Sequence, residues 1–325
     1  MTAPLLTIRN LDITYPTGRG PARVLTAVDL VVGRGAAVGL VGESGSGKST
    51  LSLALLGLLP DEARISVDQA TFDGRNGMLL PENAWTLRGT DVAMVFQDPM
   101  TALNPLFTIG EQLVDIQRAR FPKERPASLW ARGERMLAKI GVPDADRRMK
   151  RYPHEFSGGM RQRVVIAMAL LVEPKLLIAD EPTTALDATI EAQVVEILRT
   201  LRNELSSSLL VVSHSFGLIA ELCDTVAVMY AGTIVETGAV GDVLVTPHHP
   251  YAQALLACEI EPADGLGPGL DLASIPGTVP DPVDRTEGCV FAPRCPARHA
   301  RCTQTPPFVA TGAGSGFACW LGVPA

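Results

Sequence analysis

The chain has 325 residues, of which 46% are apolar and 19% are charged, and its formal net charge is −7. This length allows two domains, or one large domain with an appendage. The acidic balance argues against a nucleic-acid-binding protein, since such proteins are usually basic. No run of 18 apolar residues predicts a membrane span, and "MTAPLLTIRN" lacks the pattern of an export signal. We therefore expect a cytoplasmic protein with mostly reduced thiols, in which a cysteine cluster binds metal more often than it forms disulfides.

The first elements in chain order are short strands and turns. "LLTIRNLDITY" places apolar residues at Leu6, Ile8, Leu11 and Ile13, the pattern of a half-buried strand. "AAVGLVG" is a continuous apolar run ending in glycine, which indicates a buried strand. A helix is predicted to begin at Lys48 and to run as far as Pro60.

The middle of the chain is predicted to be helical and basic, with 11 Lys/Arg against 4 Asp/Glu between Ile116 and Arg151. Two further buried strands follow, "KLLIAD" and "SLLVVSH", and "TVAVMYAGTIVETG" predicts a hairpin around Ala231 and Gly232. Strands that alternate with helices indicate an α/β core with a parallel sheet. From Glu261 onward the composition changes, because 10 Pro and 9 Gly fall in the remaining 65 residues.

The stretch "GESGSGKS", Gly42 to Ser49, fits the phosphate-loop pattern G-x-x-x-x-G-K-[ST]. Its glycines let backbone N–H groups surround phosphate oxygens, and the following helix points its positive end at the same anion. Lys48 is predicted to reach the β- and γ-phosphates, and Ser49 to bind Mg²⁺. The required context, a buried strand before and a helix after, is also predicted, which disfavours an ordinary glycine-rich turn.

The second piece of a nucleotide site is "LLIADE", Leu176 to Glu181. Its four apolar residues place Asp180 at the end of a buried strand, where the carboxylate can hold the Mg²⁺ shell. Glu181 follows on the other side of the pleat and is predicted to polarise water. A strand ending in Asp-Glu is weak evidence alone, but it becomes strong together with the Lys48 loop.

A second helix start with anion-binding character is "FSGGMRQR", Phe156 to Arg163. Taken alone, Ser157 would be read as an ordinary N-cap that satisfies free N–H groups. Here 12 residues separate the segment from "LLIADE", and a phosphate loop accompanies both. In this combination the sequence resembles the ATP-binding subunits of ABC transporters over nearly its whole length.

This resemblance implies roles for several further residues. Tyr15 matches the aromatic residue that stacks on adenine, although a strand aromatic in the core is the ordinary interpretation. Gln97 matches a glutamine that contacts Mg²⁺ and faces the membrane subunit, and Ala185 to Asp187 match the loop that crosses between two ATPase subunits. His214 matches the histidine at the γ-phosphate, but the family commonly has Asp where this chain has Ser215, which leaves the local hydrogen bonding open.

The site predicted in this way has three parts. Glu181, His214 and Lys48 are the predicted catalytic residues, and Ser49, Gln97 and Asp180 the predicted Mg²⁺ ligands. The residues predicted to bind ATP are Tyr15, Gly42, Glu43, Ser44, Gly45, Ser46, Gly47, Lys48, Ser49, Thr50, Gln97, Ser157, Gly158, Gly159, Asp180 and Asp187. In the family two subunits pair head-to-tail, so that the Ser-Gly-Gly helix of one completes the phosphate site of the other.

The segments "MVFQDPMTALNP", "RYPHEFSGGMRQRVVIAMALL", "DEPTTALDATI" and "PHHPYAQALL" resemble, more closely, the dipeptide/oligopeptide importer branch, which also includes nickel and metallophore importers. Chains of this branch end in a proline-rich segment, here Ile275 to Pro282, followed by a "CxFAPRCPxA…C" pattern that is associated with an iron–sulfur cluster. The predicted ligands are Cys289, Cys295, Cys302 and Cys319. Their gaps of 5, 6 and 16 residues lack the tight pair of a zinc site and suit a larger four-iron cluster, but zinc and unliganded thiols remain alternatives. Cys223 and Cys258 are predicted to be core residues.

The predicted fold is a P-loop ABC ATPase core, residues 1–260, with a helical subdomain at about 100–170, an antiparallel β subdomain and a cysteine-rich extension at 261–325. The predicted function is ATP hydrolysis that powers a peptide importer, at the cytoplasmic face of the membrane. Its implied partners are a second, distinct ATPase subunit, two membrane permease subunits and an extracytoplasmic binding protein. A nickel or metallophore importer is the alternative of the same class, and a soluble ATPase of iron–sulfur assembly the alternative of another class. Lys48, Glu181 and His214 argue against a non-hydrolysing partner, and the extension is predicted to be structural, so that ATP binding survives when it loosens.

Overall fold

The computed structural model describes residues 3–79, 81–184, 188–205, 207–259, 274–285 and 287–323. The strands are β1 Leu6–Thr17, β2 Gly20–Val32, β3 Ala37–Val41, β4 Arg64–Ser66, β5 Gln69–Phe72, β6 Arg75–Asn76, β7 Val92–Val95, β8 Leu176–Asp180, β9 Ser208–Ser213, β10 Thr225–Tyr230, β11 Thr233–Ala239, β12 Phe308–Gly312 and β13 Ser315–Ala318. The helices are α1 Lys48–Leu55, α2 Pro81–Leu87, α3 Pro99–Ala102, α4 Ile109–Arg120, α5 Pro126–Lys139, α6 Ala145–Arg148, α7 Gly158–Leu171, α8 Ala188–Leu205, α9 Phe216–Leu222, α10 Val240–Val245 and α11 Pro250–Glu259. No helix within these described ranges combines the length and the apolar character that a membrane crossing needs.

A small antiparallel sheet has the strand order β2-β1-β5-β6, with β4 beside β1. Leu6, Ile8, Leu11 and Ile13 are fully buried, as their alternation predicts. The two leading strands are longer than the short strands expected from the sequence, because β1 and β2 pair along most of their length as one hairpin with register shifts between Ile8 and Thr14. Such irregularities bend a strand without ending it.

The central sheet has the order β12-β13-β11-β10-β3-β9-β8-β7. Its middle, from β10 through β3, β9 and β8 to β7, is parallel. Every residue of β3, β8 and β9 is buried, which explains why these strands read as continuous apolar runs. The predicted α/β class is confirmed, and the carboxyl ends of the parallel strands meet at one edge.

The basic region predicted to be helical divides into separate helices. Helix α4 ends at Arg120, and α5 begins at Pro126, which occupies its first turn. Proline is favoured there because that position needs no N–H donor. Helices α4, α5 and α7 bury Leu113, Leu137 and Val164 against one another as part of the main core.

The C-terminal residues extend the central sheet. Strand β13 pairs antiparallel with β11, matching Phe317 to Glu236 and Gly316 to Thr237, and β12 pairs with β13. The extension is therefore continuous with the core sheet and not only an appendage. The predicted boundary at residues 260 and 261 lies outside the described residues and stays a prediction.

The two remaining cysteines behave differently from each other. Cys223 is half-buried and packs against the main core, as expected. Cys258 is exposed, so the prediction of a core position was wrong. It lies in the last turn of α11, beyond the core contacts that the earlier turns make through Tyr251, Ala252 and Leu255.

Candidate functional site

Four adjacent parallel strands end at the same edge of the central sheet. The residues that follow them are Gly42 after β3, His214 after β9, Glu181 after β8 and, one residue farther on, Gln97 after β7. The crevice outside the carboxyl ends of parallel strands is the usual ligand site of an open α/β sheet. The topology therefore gathers predicted site residues that are far apart in the sequence.

The phosphate loop connects β3 to α1, and two of its glycines have no room for a side chain. A Cβ atom at Gly42 would lie 2.1 Å from the carbonyl oxygen of Met229, and one at Gly47 would lie 2.7 Å from Leu25 Cδ2. Gly47 also has φ 101°, a backbone conformation that other residues rarely adopt. Packing thus requires glycine at positions 42 and 47, and the loop leads directly into the N-terminus of α1.

The rest of the loop differs in exposure. Ser44 and Gly45 are exposed, Thr50 is half-buried and Ser46 is fully buried. Among the described residues Ser46 Oγ has no hydrogen-bond partner. The exposed residues leave the outer side of the loop open to a ligand.

Lys48 is buried, and its ammonium group donates to the carbonyl oxygens of Gly42, at 2.6 Å, and Glu43, at 3.0 Å. Burial lowers the pKa of Lys48, and the carboxylates of Glu181, Asp180 and Glu43, in that order, oppose the shift. The side chain is therefore held across the inside of the loop, close to three acidic groups. An ammonium in that position can contact phosphate oxygens.

Asp180 ends β8 and is 6% exposed. Burial raises its pKa, while a hydrogen bond from the Ser49 side chain opposes the increase. Its Oδ1 atom is buried without a hydrogen-bond partner among the described residues. A carboxylate oxygen left unsatisfied beside a serine hydroxyl fits a hard divalent cation, which prefers oxygen ligands.

Glu181 is the centre of a polar cluster. Its Oε2 accepts hydrogen bonds from Gln97 Nε2, at 2.9 Å, and from Thr184 Oγ1, at 2.8 Å, and its Oε1 lies 3.5 Å from His214 Nδ1. The residue has φ 45°, and its N–H donates to the Val212 carbonyl at 2.8 Å where the chain leaves β8. The strand pattern predicted an extended backbone at Glu181, but the backbone there is left-handed. Backbone strain of this kind is common at functional sites.

Two residues near this cluster were not found from the sequence. Thr184 lies in "EPTT", which carries no signal beyond its nearness to Glu181. Gln162 on α7 is buried and donates from Nε2 to the Pro182 carbonyl at 2.7 Å. This bond joins the helix of the Ser-Gly-Gly motif to the loop that carries Glu181.

The structure also shows the hydrogen bonding around Ser215, which the sequence left open. Its hydroxyl accepts a hydrogen bond from the Gly217 N–H at 3.1 Å, and its own N–H donates to Ser213 Oγ at 2.9 Å. Ser215 is therefore the N-cap of α9, a role that serine fills as well as aspartate. His214 stays 61% exposed and points its ring toward Glu181.

The other predicted nucleotide residues lie apart from this cluster or outside the described chain. Tyr15 is half-buried on β1, opposite Ala22, with its pKa raised by burial. Ser157 caps α7 through the Met160 N–H at 3.4 Å, and a Cβ at Gly158 would meet nothing within 4 Å, so this exposed helix start has open space in front of it. Gly159 follows in the same turn, and Asp187 lies outside the described residues.

The four C-terminal cysteines line one small cavity of ≈ 10 Å³, together with Phe291 and His249. The backbones of Cys289 and Cys302 are joined by an N–H···O bond of 3.0 Å. Burial raises the pKa of Cys289, Cys295 and Cys319. Across the part of the chain that the structure describes, no three Cys, His, Asp or Glu side chains form a group that could hold a metal ion. The predicted iron–sulfur cluster is therefore not confirmed.

The phosphate loop has a partner that no motif suggested. Arg294, between two of these cysteines, forms a two-pronged ion pair with Glu43, with Nη1···Oε2 2.6 Å and Nη2···Oε1 3.0 Å. The two residues are 251 positions apart in the sequence. Only the folded chain brings them together.

Comparison with known proteins agrees with this geometry. Residues 25–184 match the ABC transporter family, and residues 235–302 match the oligopeptide/dipeptide transporter C-terminal region. The chain is 44% identical over 317 residues to the oligopeptide transport ATP-binding protein OppD of Salmonella typhimurium, covering 97% of this chain and 93% of that protein. It is 42% identical to the dipeptide transport ATP-binding protein DppD of Haemophilus influenzae, over 93% and 91% of the two chains.

Solved structures show the same architecture. The ATP-binding cassette MJ0796, in a dimeric post-hydrolysis state bound to ADP and Pi, superimposes with a TM-score of 0.64 at 25% identity, covering 72% of this chain and 98% of that one. The sheet-edge site, the phosphate loop and these likenesses lead to one conclusion: the chain belongs to the ABC transporter ATPases, in the branch of oligopeptide and dipeptide transport ATP-binding proteins.

Proposed function

We propose that this chain binds and hydrolyses ATP to power an importer of dipeptides or oligopeptides. The observation that carries the proposal is the convergence of Lys48, Asp180, Glu181, Gln97 and His214 at one edge of the parallel sheet. The peptide substrate is supported by relatives whose names specify oligopeptide and dipeptide transport. The nickel and metallophore alternatives are not favoured by any contact in the site.

The triphosphate would lie against the loop from Gly42 to Ser49, with its negative charge facing the N-terminus of α1. Lys48 would exchange its carbonyl partners for phosphate oxygens. Ser49, Asp180 and Gln97 would hold Mg²⁺, which supplies positive charge that offsets the charge on the transferred phosphoryl group. Tyr15 would stack on the adenine ring.

Glu181 would orient and activate the attacking water. Gln97 and Thr184 both donate to its Oε2 oxygen, which fixes the carboxylate and leaves Oε1 toward His214. His214 would contact the γ-phosphate from its exposed position. Positioning and charge stabilisation of this kind account for most of the catalysis in phosphoryl transfer.

A complete site would require a second ATPase subunit. Ser157, Gly158 and Gly159 form a helix start with open space before it, and this end can bind an anion supplied by another molecule. A dimeric cassette with the same fold supports this arrangement. Asp187 would lie in the loop that crosses between the two subunits, and the partner is proposed to be a distinct chain.

The remaining partners would be two membrane permease subunits and an extracytoplasmic binding protein, with this chain on the cytoplasmic face of the membrane. Leu106 and Phe107, which follow the Gln97 segment, are 79% and 48% exposed. Exposed apolar side chains next to a nucleotide-sensing segment suit contact with a permease subunit. Gln97 would then report the state of Glu181 to that contact.

The transporter reconstituted with both ATPase subunits, both permeases and the binding protein tests this function. ATP-dependent uptake of a labelled dipeptide or pentapeptide into vesicles is expected, with ATPase activity stimulated by the loaded binding protein. Uptake of nickel with no peptide uptake would contradict the substrate. ATP turnover that is independent of the permeases would contradict the transport class.

We also propose that Cys289, Cys295, Cys302 and Cys319 hold a four-iron cluster with a structural role. Four thiols that line one cavity supply the donor set such a cluster needs. Its ligands stand farther apart than those of a single zinc ion, because each thiolate binds a different iron. The cavity of ≈ 10 Å³ would have to open, and the four cysteines would have to separate around the cluster.

Anaerobic purification followed by iron, sulfide and zinc analysis tests the cluster. We expect about four irons per chain with a visible charge-transfer spectrum. Stoichiometric zinc, or four free thiols without metal, would contradict it. The Cys223→Ser variant is the matched control, because Cys223 packs against the main core and should leave the iron content unchanged.

A further inference from the structure

Arg294 carries a guanidinium group that is almost completely enclosed, with 5% of its side chain exposed. It lies in a short helical turn, Ala292–Arg294, directly before Cys295. A buried charge is stable only where hydrogen bonds and an opposite charge replace the lost water. The surroundings of Arg294 meet this requirement completely.

Each of the five N–H donors of Arg294 has an acceptor. Nε donates to the Pro276 carbonyl at 2.8 Å, and Nη2 to the Ile275 carbonyl at 3.0 Å. Nη1 lies 3.4 Å from the Tyr230 hydroxyl, and the remaining two donors form the fork on the Glu43 carboxylate. This geometry requires a planar guanidinium, because lysine has three donors and no fork.

Glu43 is the second residue of the phosphate loop, and both its backbone N–H and its backbone carbonyl form hydrogen bonds. Its N–H donates to the Tyr251 hydroxyl at 2.8 Å, and its carbonyl accepts from Lys48 at 3.0 Å. Its carboxylate is close enough to Lys48 to act on the pKa of that ammonium. An unpaired carboxylate at this position would repel the triphosphate that the loop binds, since like charges in a partly enclosed site interact strongly.

We propose that Arg294 is a positioning residue of the ATP site, which neutralises and orients Glu43 so that the phosphate loop accepts the triphosphate. This inference rests on the proposed ATP-binding function of the loop. It makes the C-terminal extension a functional part of the nucleotide site, linked through one ion pair. It also replaces the expectation that ATP binding survives when the extension loosens.

The test is a double-mutant cycle on the full chain, with MgATP affinity measured by calorimetry. Arg294→Gln leaves the Glu43 carboxylate unpaired, so the Kd for MgATP should rise about tenfold, and Arg294→Lys should lie between it and the unmodified chain. Adding Glu43→Gln to Arg294→Gln removes the repelling charge and should restore the Kd to within about twofold of the unmodified value. A purely structural role of Arg294 predicts no such rescue, because the second substitution repairs no packing.

Two further measurements distinguish a charge effect of Arg294 on ATP binding from a purely structural effect. The affinity defect of Arg294→Gln should shrink as KCl is raised from about 0.05 M to about 0.5 M, since salt screens the repulsion. In the assembled transporter the substitution should raise KM for ATP and change kcat by less than about twofold, because a ground-state binding interaction is affected. Arg301→Gln is the control: this exposed arginine of the same extension stacks on Trp320, with 4.3 Å from Cζ to the ring centroid, and its substitution should leave the Kd unchanged.

An unchanged Kd in a folded Arg294→Gln variant, or a double variant as weak as the single one, would overturn the inference. If Arg294→Gln does not fold, Arg294→Lys decides: the inference requires its Kd for MgATP to be higher than that of the unmodified chain and the increase to shrink at about 0.5 M KCl, and an unchanged Kd contradicts it. An unmodified chain that does not bind MgATP would instead overturn the proposed function.

Discussion

The phosphate loop and the C-terminal extension lie against each other, but different forces hold them. The loop is anchored between β3, which is completely buried, and α1, whose Leu51 and Leu55 are fully buried. Residues 274–285 of the extension contain no helix or strand and are mostly exposed or half-buried. The loop is therefore fixed by the hydrophobic core, and residues 274–285, which precede the buried Phe291, need other contacts as well.

Ile275 and Val279 of this segment pack partly buried against the main core, and long-range polar contacts hold the rest. Arg285 donates to the Ala231 carbonyl at 2.6 Å, the Arg23 N–H donates to the Pro282 carbonyl at 3.0 Å, and Arg19 pairs with Asp281. Together with the Arg294–Glu43 pair they hold the segment along the β1–β2 hairpin and the phosphate loop. A segment that buries few apolar residues can therefore still shape a binding site, provided that charged contacts such as the Arg294–Glu43 pair join it to that site.

The largest effect is expected at Glu181, the proposed catalytic residue beside the phosphate loop. Glu181→Gln removes the proposed water-activating carboxylate while keeping its size, so turnover should fall about 10²- to 10⁴-fold with ATP affinity kept. Single-turnover hydrolysis in the assembled transporter measures it. Glu196→Gln, an exposed glutamate of α8, is the control and should be neutral. Near-normal turnover of the Glu181 variant would mean that another group activates the water.

Lys48→Ala tests the loop itself. The ammonium that spans the inside of the loop disappears. The Kd for MgATP should therefore rise roughly 10- to 100-fold, the effect of losing one or two hydrogen bonds between a charged group and the phosphates. Lys175→Ala is a matched control, because Lys175 pairs with Asp73 and Asp91 at the start of β8, away from the site. Equal losses in the two variants would indicate a general effect of removing a lysine.

Gly288→Ala tests whether the extension depends on a few tight contacts. A Cβ at Gly288 would lie 2.7 Å from the Cys302 carbonyl, and the residue has φ 97°. We expect a cost of about 2 kcal/mol or more in the free energy of unfolding, and earlier proteolysis of the extension. At Gly312 the nearest atom to an added Cβ is at 3.9 Å, so Gly312→Ala should stay within about 0.5 kcal/mol. Equal effects would show that the packing around Gly288 is not decisive.

The smallest effect is expected at the surface pair of Arg19 with Asp281. Arg19 and Asp281 have side chains that are 64% and 42% exposed. Solvent and salt weaken such pairs, so Arg19→Ala should shift the thermal unfolding midpoint only slightly, and the shift should vanish near 1 M salt. A shift as large as that of Gly288→Ala would contradict the separation of buried from exposed contacts drawn above.

The parts of the site that the sequence determined are those whose geometry is local. The phosphate loop, the strand before it and the helix after it follow from glycine spacing and apolar runs within about 15 residues, and the end of β8 at Asp180 follows from four apolar residues. Local sterics decide such conformations, so a short window contains the information. The hairpin around Ala231 and Gly232 was predictable for the same reason.

Only the tertiary structure decided which of these pieces meet. The strand order places Gln97, Glu181 and His214 side by side, although they come from three separate stretches of the chain. The pairing of β13 with β11 and the contact of Arg294 with Glu43 depend on how the whole chain returns to its own core. A guanidinium and a carboxylate 251 residues apart carry no pairing signal in the sequence, because any arginine and any glutamate attract each other equally, and the fold alone selects which two are brought into contact and shielded from water.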